Sequence, residues 1–291
     1  MHYKKSITIL AAVIAFMSAV ATSIGILSND GNGSFKYQTI RGETIEIYGI
    51  GIYKHMSSDV AIQGIAQDYV TLFLAIPLLL ISLYFYRKNS LRAKFMLSGT
   101  LLYFLLTYLF YTAMAMFNSL FLIYVVLLAC SLSGFILSII SFDVQKVKSM
   151  IRSEKILTFT GWFMIFNSLM IAMLWLKTIL TPLLDGSLYP QGLNHYTTMV
   201  VQGFDLGIFL PLGFVSGMLA VKRNIWGAVF STIYVIFLSI LMSALTSKII
   251  FMANAGANVF PVIFIMPSIC MLSIILSVLL MKNIQKNEFH S

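Results

Sequence analysis

Residues 200–223 read VVQGFDLGIFLPLGFVSGMLAVKR. From Val200 to Val221 the run is apolar apart from Gln202, Asp205 and Ser216, and it stops at the basic pair Lys222-Arg223. About 20 apolar residues in helical form match the ~30 Å hydrocarbon core of a bilayer. Lipid offers no partner to a backbone N–H or C=O, so such a run must be a helix that satisfies its own groups. The segment therefore reads as a membrane-spanning helix that ends at a basic connection.

Seven further runs of the same kind lie on either side of it. They are Ile7–Leu27, Tyr69–Tyr86, Phe95–Phe117, Leu120–Ser141, Ile156–Leu176, Trp226–Ser247 and Val262–Met281. Composition agrees: 59% of the 291 residues are hydrophobic and 10% are charged, where a soluble domain would carry about 25% charge. Mean hydropathy is +0.91. The expected fold is an all-α membrane protein, a single integral domain of eight transmembrane helices over residues 1–291.

The net charge of +9 is explained by topology. Fourteen of the 19 basic residues fall in every second connection: Lys4 and Lys5; Arg87, Lys88, Arg92 and Lys94; Lys146, Lys148, Arg152 and Lys155; Lys222 and Arg223; Lys282 and Lys286. Lys36, Arg41, Lys54, Lys177 and Lys248 fall on the other side. The positive-inside rule makes the first side cytoplasmic, with both termini inside a cell membrane. No basic module interleaved with aromatics is present, so the lipid bilayer is the expected partner and nucleic acid is not. Lys4-Lys5, the apolar run and Ala19-Val20-Ala21 resemble a signal peptide, but the run continues to Leu27, which favours a retained first helix.

Ser28–Asp68 is the largest stretch outside the spans. Asp30-Gly31-Asn32-Gly33-Ser34 is turn-rich. Thr39–Ile47 and Tyr48–Tyr53 then read as a small β-hairpin with Gly42, Gly49 and Gly51 at its bends, Ile45 and Ile47 on one face and Thr44 and Glu46 on the other. The hairpin is either a ligand or partner cap or a shield over helix ends. A second outer loop, Lys177–Met199, carries Pro182, Asp185, Gly186, Pro190 and Gly192.

The two halves, 1–150 and 151–291, share features. Lys5-Ser6-Ile7-Thr8 lies on Lys155-Ile156-Leu157-Thr158, and Phe16 and Ser18 lie on Phe166 and Ser168. Gln63-Gly64, Asp68 and Pro77 are echoed by Gln202-Gly203, Asp205 and Pro211, and Cys130-Ser131-Leu132-Ser133 by Cys270-Met271-Leu272-Ser273. Four spans per half would make this a 4+4 parallel repeat about an axis along the membrane normal, with any site near that axis.

The candidate ion- or substrate-binding residues are Asp205, Asp68, Gln202 and Asn167. Asp205 lies 17 residues before Lys222, about 25 Å of helix, and Asp68 lies 19 before Arg87, about 28 Å. Intramembrane carboxylates face a bundle interior or a watery cavity by default. These two either line an outer vestibule or anchor helix ends at the interface. Pro77 and Pro211 are expected helix kinks that free the carbonyls of Phe73 and Gly207. Gly203, Gly207, Gly213 and Gly217 are candidate packing glycines, two of their spacings being Gly-x-x-x-Gly. Tyr103, Tyr108 and Tyr111 form a stripe whose default reading is core packing or an interfacial belt. His55 and His195 are lone loop histidines without metal-ligand spacing. Cys130 and Cys270 read as small packing residues.

No Walker loop, H-E-x-x-H, G-x-S-x-G or pair of haem-type histidines occurs. No catalytic residue, metal or cofactor is expected. Three functions compete: a transporter or channel-like protein for an ion or small solute, a non-transporting sensor or accessory subunit working through the outer loop, and an enzyme at the outer interface. Arg41-Gly42-Glu43 with Tyr48–Tyr53, Gln67–Leu72 with Pro77-Leu78-Leu79, Phe117–Phe121 and the Asp205–Pro211 segment resemble a family of bacterial polytopic membrane proteins without an assigned activity. The resemblance implies a bacterial cytoplasmic membrane location and brings no substrate and no site residue.

Overall fold

Eight helices of the described residues are long and apolar enough to cross a membrane: α1 Lys4–Leu27, α2 Ser58–Arg87, α3 Leu91–Met114, α4 Phe121–Ile140, α5 Glu154–Asp185, α6 Val200–Val221, α7 Ile225–Asn254 and α8 Val262–Asn283. The computed structural model describes residues 3–190 and 192–285; Lys286, counted above among the basic residues, lies outside them. Ends are set by local chemistry. The Ser90 hydroxyl accepts from the Ala93 N–H to start α3 and the Asn224 side chain accepts from Trp226 N–H to start α7, which supplies partners for otherwise orphaned donors. Gly186 ends α5 in a left-handed conformation, φ +76°, which costs glycine nothing.

Helices α2, α5 and α7 run longer than their apolar cores. Helix α2 starts at Ser58 instead of Tyr69, α5 runs on to Asp185 past Leu176, and α7 to Asn254 past Ser247. In α2 and α7 the cause is the same: Gln63, Gln67, Asp68 and Lys248 are polar, but they face protein, so they interrupt hydropathy without interrupting the helix.

Helices α3 and α7 form the centre. In their most apolar windows 72% and 78% of residues are buried, against at most 39% in any other span. Helix α1 packs on α2 and α4, and α3 on α2 and α4; in the second half α5 packs on α6, and α7 on α6 and α8. The halves meet where α7 lies against α3 and α2. A side-chain carbon on Gly99 of α3 would stand 2.5 Å from Ile236 Cγ2 of α7, so the missing side chain is what allows this contact. Gly161 of α5 and Gly217 of α6 bring two backbones together in the same way, and a carbon on Gly213 would strike the Tyr234 ring. Gly203 and Gly207 differ: an added carbon at either meets open space, so the close approach is confined to the second Gly-x-x-x-Gly pair.

Helices α2 and α6 share a local irregularity. Thr71–Ala75 and Asp205–Phe209 are π-helical, and Pro77 and Pro211 each follow two residues later, at the start of the next α-helical stretch. There a proline needs no donor partner. The prolines therefore close a widened turn, and such π-turns inside helices occur frequently at functional sites.

The hairpin exists with a different register. Phe35–Gln38 (β1) pairs antiparallel with Thr44–Ile47 (β2). The turn is Thr39–Glu43, held by Thr39 Oγ1, which accepts from the Arg41 and Glu43 N–H groups, with Gly42 at φ +85°. Tyr48–Tyr53 is no strand: it turns back and closes as a 3-10 helix at Gly51–Tyr53. The strands end where Thr39 offers its side chain to the backbone in place of a ladder. Ile47 is buried and Ile45 half-buried, while Thr44 and Glu46 are exposed.

The opposite, basic end is closed by packing. Arg92 donates twice to the Ile284 carbonyl, and Asn283 exchanges hydrogen bonds of 2.8 Å with the backbone of Ser153. A cleft there holds about 10 Å³.

Candidate functional site

Polar side chains of α2, α3, α6 and α7 converge at the hairpin end of the bundle. Gln63 and Gln67 lie on one face of α2, Thr107 and Tyr111 on one face of α3, and Gln202 and Lys248 come from α6 and α7. Together with Trp175 of α5 and an apolar wall that includes Met56, Val60, Phe110, Met114 and Met199, they line a cavity of about 310 Å³.

Asp68 stands behind this wall. It is 2% exposed and lies ten residues inside α2, so it is enclosed by protein and does not cap a helix end. Two hydroxyls hold it: Tyr53 donates to Oδ2 at 2.5 Å and Tyr111 to Oδ1 at 2.8 Å. Desolvation pushes the Tyr53 hydroxyl well above its ordinary range, and the Asp68 carboxylate adds to that. Tyr53 therefore stays a neutral donor. Gly25 of α1 lies directly against Asp68, and a side-chain carbon there would overlap the carboxylate.

Gln67 sits one residue before it. Its Nε2 donates to Tyr103 at 2.7 Å and to Thr107 at 3.1 Å. Thr71 donates to the Gln67 backbone carbonyl at 2.9 Å and lies 2.9 Å from the Tyr103 hydroxyl. A chain follows: Thr71 gives its proton to the backbone, accepts from Tyr103, and leaves Tyr103 free to accept from Gln67. The amide is thereby oriented, and its Oε1 is buried without a hydrogen-bond partner. Leaving such an acceptor unpaired costs about 1–3 kcal/mol.

Asp205 opens the π-helical stretch of α6 and accepts from Trp175 Nε1 at 2.9 Å. Lys248 completes the group. Hydropathy places it in an outer connection, yet α7 continues through it to Asn254 and its side chain lines the cavity. Among the described residues its ammonium makes no hydrogen bond and no ion pair within 4 Å. Both Asp68 and Asp205 are within its electrostatic reach. Two acids thus act on one ammonium, Asp68 held by two hydroxyls and Asp205 by one indole N–H.

A roof covers the cavity. Leu193, Tyr196, Thr198 and Met199 come from the connection between α5 and α6. The hairpin clasps this segment: Arg41 donates to the carbonyls of Asn194 at 2.9 Å and Tyr196 at 3.0 Å and stacks over the Tyr189 ring at 4.9 Å. His195 Nε2 lies 3.0 Å from the His55 carbonyl, and Tyr37 meets the His195 ring edge-on. The two histidines are therefore part of the clasp, and no group of three potential metal ligands occurs among the described residues.

Of the sequence candidates, Gln202 lines the cavity and Asp68 and Asp205 are each one hydrogen bond behind it. Asn167 is buried in α5, eight residues or about 12 Å of helix from Trp175, and does not line the cavity. Lys248, Tyr53, Gln67 and Trp175 were not singled out. Lys248 was findable, because Ile249-Ile250-Phe251-Met252 continues the apolar run beyond it. Cys130 and Cys270 are free thiols on α4 and α8, away from the cavity.

Compared with known proteins, the chain matches no family, no curated protein and no solved structure.

Proposed function

We propose that this is a multi-pass transport protein for an ion or small solute that enters the cavity from the hairpin side and binds beside Lys248, Asp205 and Asp68. One observation carries the reading: a cavity reaches between the spans to Lys248, near the join of the two halves, with Asp68 and Asp205 hydrogen-bonded to the wall residues Tyr111 and Trp175. Ionisable groups within spans are costly and mark solute or ion pathways. The π-helical stretches in α2 and α6 adjoin the same group, and broken or widened helices at a midpoint between halves are a recurrent transporter device. The hairpin clasp over the roof favours a role for the outer loop in access to the cavity, ahead of partner binding by a separate surface.

The distribution of Lys and Arg supports an orientation with both termini in the cytoplasm, so that the cavity faces outward. The shared packing order α1–α4 and α5–α8, with the π-turn and proline at one offset in α2 and α6, supports a 4+4 parallel repeat. At that offset Thr71 corresponds to Asp205 and Asp68 to Gln202, so each half contributes one acid at a different turn. The family resemblance supports a bacterial cytoplasmic membrane.

The test is uptake into proteoliposomes holding purified protein, screening protons, sodium, potassium and a small-solute panel. Wild type is expected to accumulate at least one of them, and Asp205→Asn to lose that flux while remaining monodisperse in detergent. A folded wild type that moves none of them overturns the reading.

A further inference from the structure

We infer that the cavity takes a small carboxylate with a short branched apolar body. The inference rests on the cavity being a binding site, as the transport reading requires, and adds the class of ligand.

The sign of the ligand's charge follows from which groups face it. Lys248 is the charged side chain on the cavity wall, whereas Asp68 lies behind Tyr111 and Asp205 behind Trp175. Each acid accepts from a donor: Asp68 from the Tyr53 and Tyr111 hydroxyls, Asp205 through one oxygen from the Trp175 indole. A cation entering the cavity would meet an ammonium first. An anion would meet three N–H donors that make no hydrogen bond among the described residues. Asp68 and Asp205 act on this ammonium electrostatically but neither bonds it; a charge between spans needs a hydrogen-bonded partner, and a ligand carboxylate supplies one.

Gln67 adds no second polar contact: its Nε2 is committed to Tyr103 and Thr107, and its Oε1 is enclosed by protein. The remainder of the wall, Met56, Val60, Phe110, Met114, Leu193 and Met199, is apolar, and methionines adapt to irregular branched shapes. Size is bounded as well: 310 Å³ lies at the low end of the ~300–1,000 Å³ of small-molecule sites, which suits an acid of a few carbons.

The experiment uses the full chain in neutral maltoside micelles with Trp162→Phe and Trp226→Phe, which leaves Trp175 on the cavity wall as the sole tryptophan. Three probes are titrated while its fluorescence is followed: 2-hydroxyisovalerate, isovalerate and isobutylamine. Both acids are expected to give a saturable change and the amine none. Lys248→Met should weaken both acids at least tenfold and Lys248→Arg should retain most of the binding, which separates loss of charge from loss of fold. Saturable binding of the amine alone, or acid binding indifferent to Lys248→Met, overturns the inference. If no acid binds while wild-type vesicles still take up another solute, the ligand class falls and the transport reading stands. If acids bind as described and vesicles take up nothing, the ligand class stands and transport falls.

Discussion

Tyr111 donates to Asp68 at 2.8 Å while its own side chain forms part of the cavity wall. One residue therefore joins a buried acid to the space a solute would occupy, across the interface of α2 and α3. Tyr111→Phe keeps the ring and deletes the donor. Leaving a buried acceptor short of a partner costs about 1–3 kcal/mol, so the variant should be destabilised by about that much in thermal unfolding of the detergent-solubilised protein. Tyr53→Phe removes the other donor and should cost a similar amount. The double variant should cost more than the sum, because the first loss leaves one donor and the second leaves none. Strict additivity would show that the two hydroxyls do not act on a common carboxylate.

The glycines divide by what surrounds them. Gly25→Ala drives a methyl into Asp68 between α1 and α2, and Gly217→Ala drives one toward the Gly161 carbonyl between α5 and α6. Overpacking of this kind costs about 1–3 kcal/mol. Gly203→Ala and Gly207→Ala meet open space and gain helix propensity, so they should be neutral or stabilising by up to about 1 kcal/mol. Unfolding midpoints of the four variants measured side by side check this ordering. Equal losses at all four positions would contradict the packing described.

Much of this arrangement is legible in the sequence and some is not, for physical reasons. Hydropathy finds every span, because apolar length is what a bilayer selects. It fails at Lys248 and at the first turns of α2, since a polar residue facing protein and one facing water look alike along the chain. The hairpin register fails because Thr39, a strand former by propensity, spends its hydroxyl on the turn. The Asp68 site draws on Gly25, Tyr53 and Tyr111, residues brought together from three stretches of the chain, and no spacing rule connects them. Asp205 and Pro211 stand out within a single span and are visible directly.

The roof should loosen when its clasp is cut. Arg41 makes two hydrogen bonds to backbone carbonyls of the roof and one ring contact, all at the bundle surface, so Arg41→Ala should lower global stability by no more than about 1–2 kcal/mol. Its local effect should be larger. Amide exchange across residues 192–199 is expected to speed up by an order of magnitude or more, with exchange in α3 and α7 unchanged. Unaltered exchange in the roof would show that the hairpin does not hold it.

Asp205 and Trp175 should behave as a coupled pair. Trp175→Phe removes the donor to Asp205 and leaves an intramembrane carboxylate short of one hydrogen bond, a loss of about 1–3 kcal/mol. Asp205→Asn alone keeps an acceptor for the indole and removes the charge, so it should cost less in stability while abolishing uptake. In the double variant the stranded charge no longer exists, and the penalty of Trp175→Phe should shrink by about 1 kcal/mol or more, within the 0.5–3 kcal/mol range of directly interacting pairs. Trp162→Phe serves as the control: that indole is 58% exposed on the outer surface of α5, and its loss should add independently to either change. A cycle without coupling would mean that the indole packs beside Asp205 without bonding it, and the acid would then face the cavity directly, reversing the sign of the charge presented to a ligand.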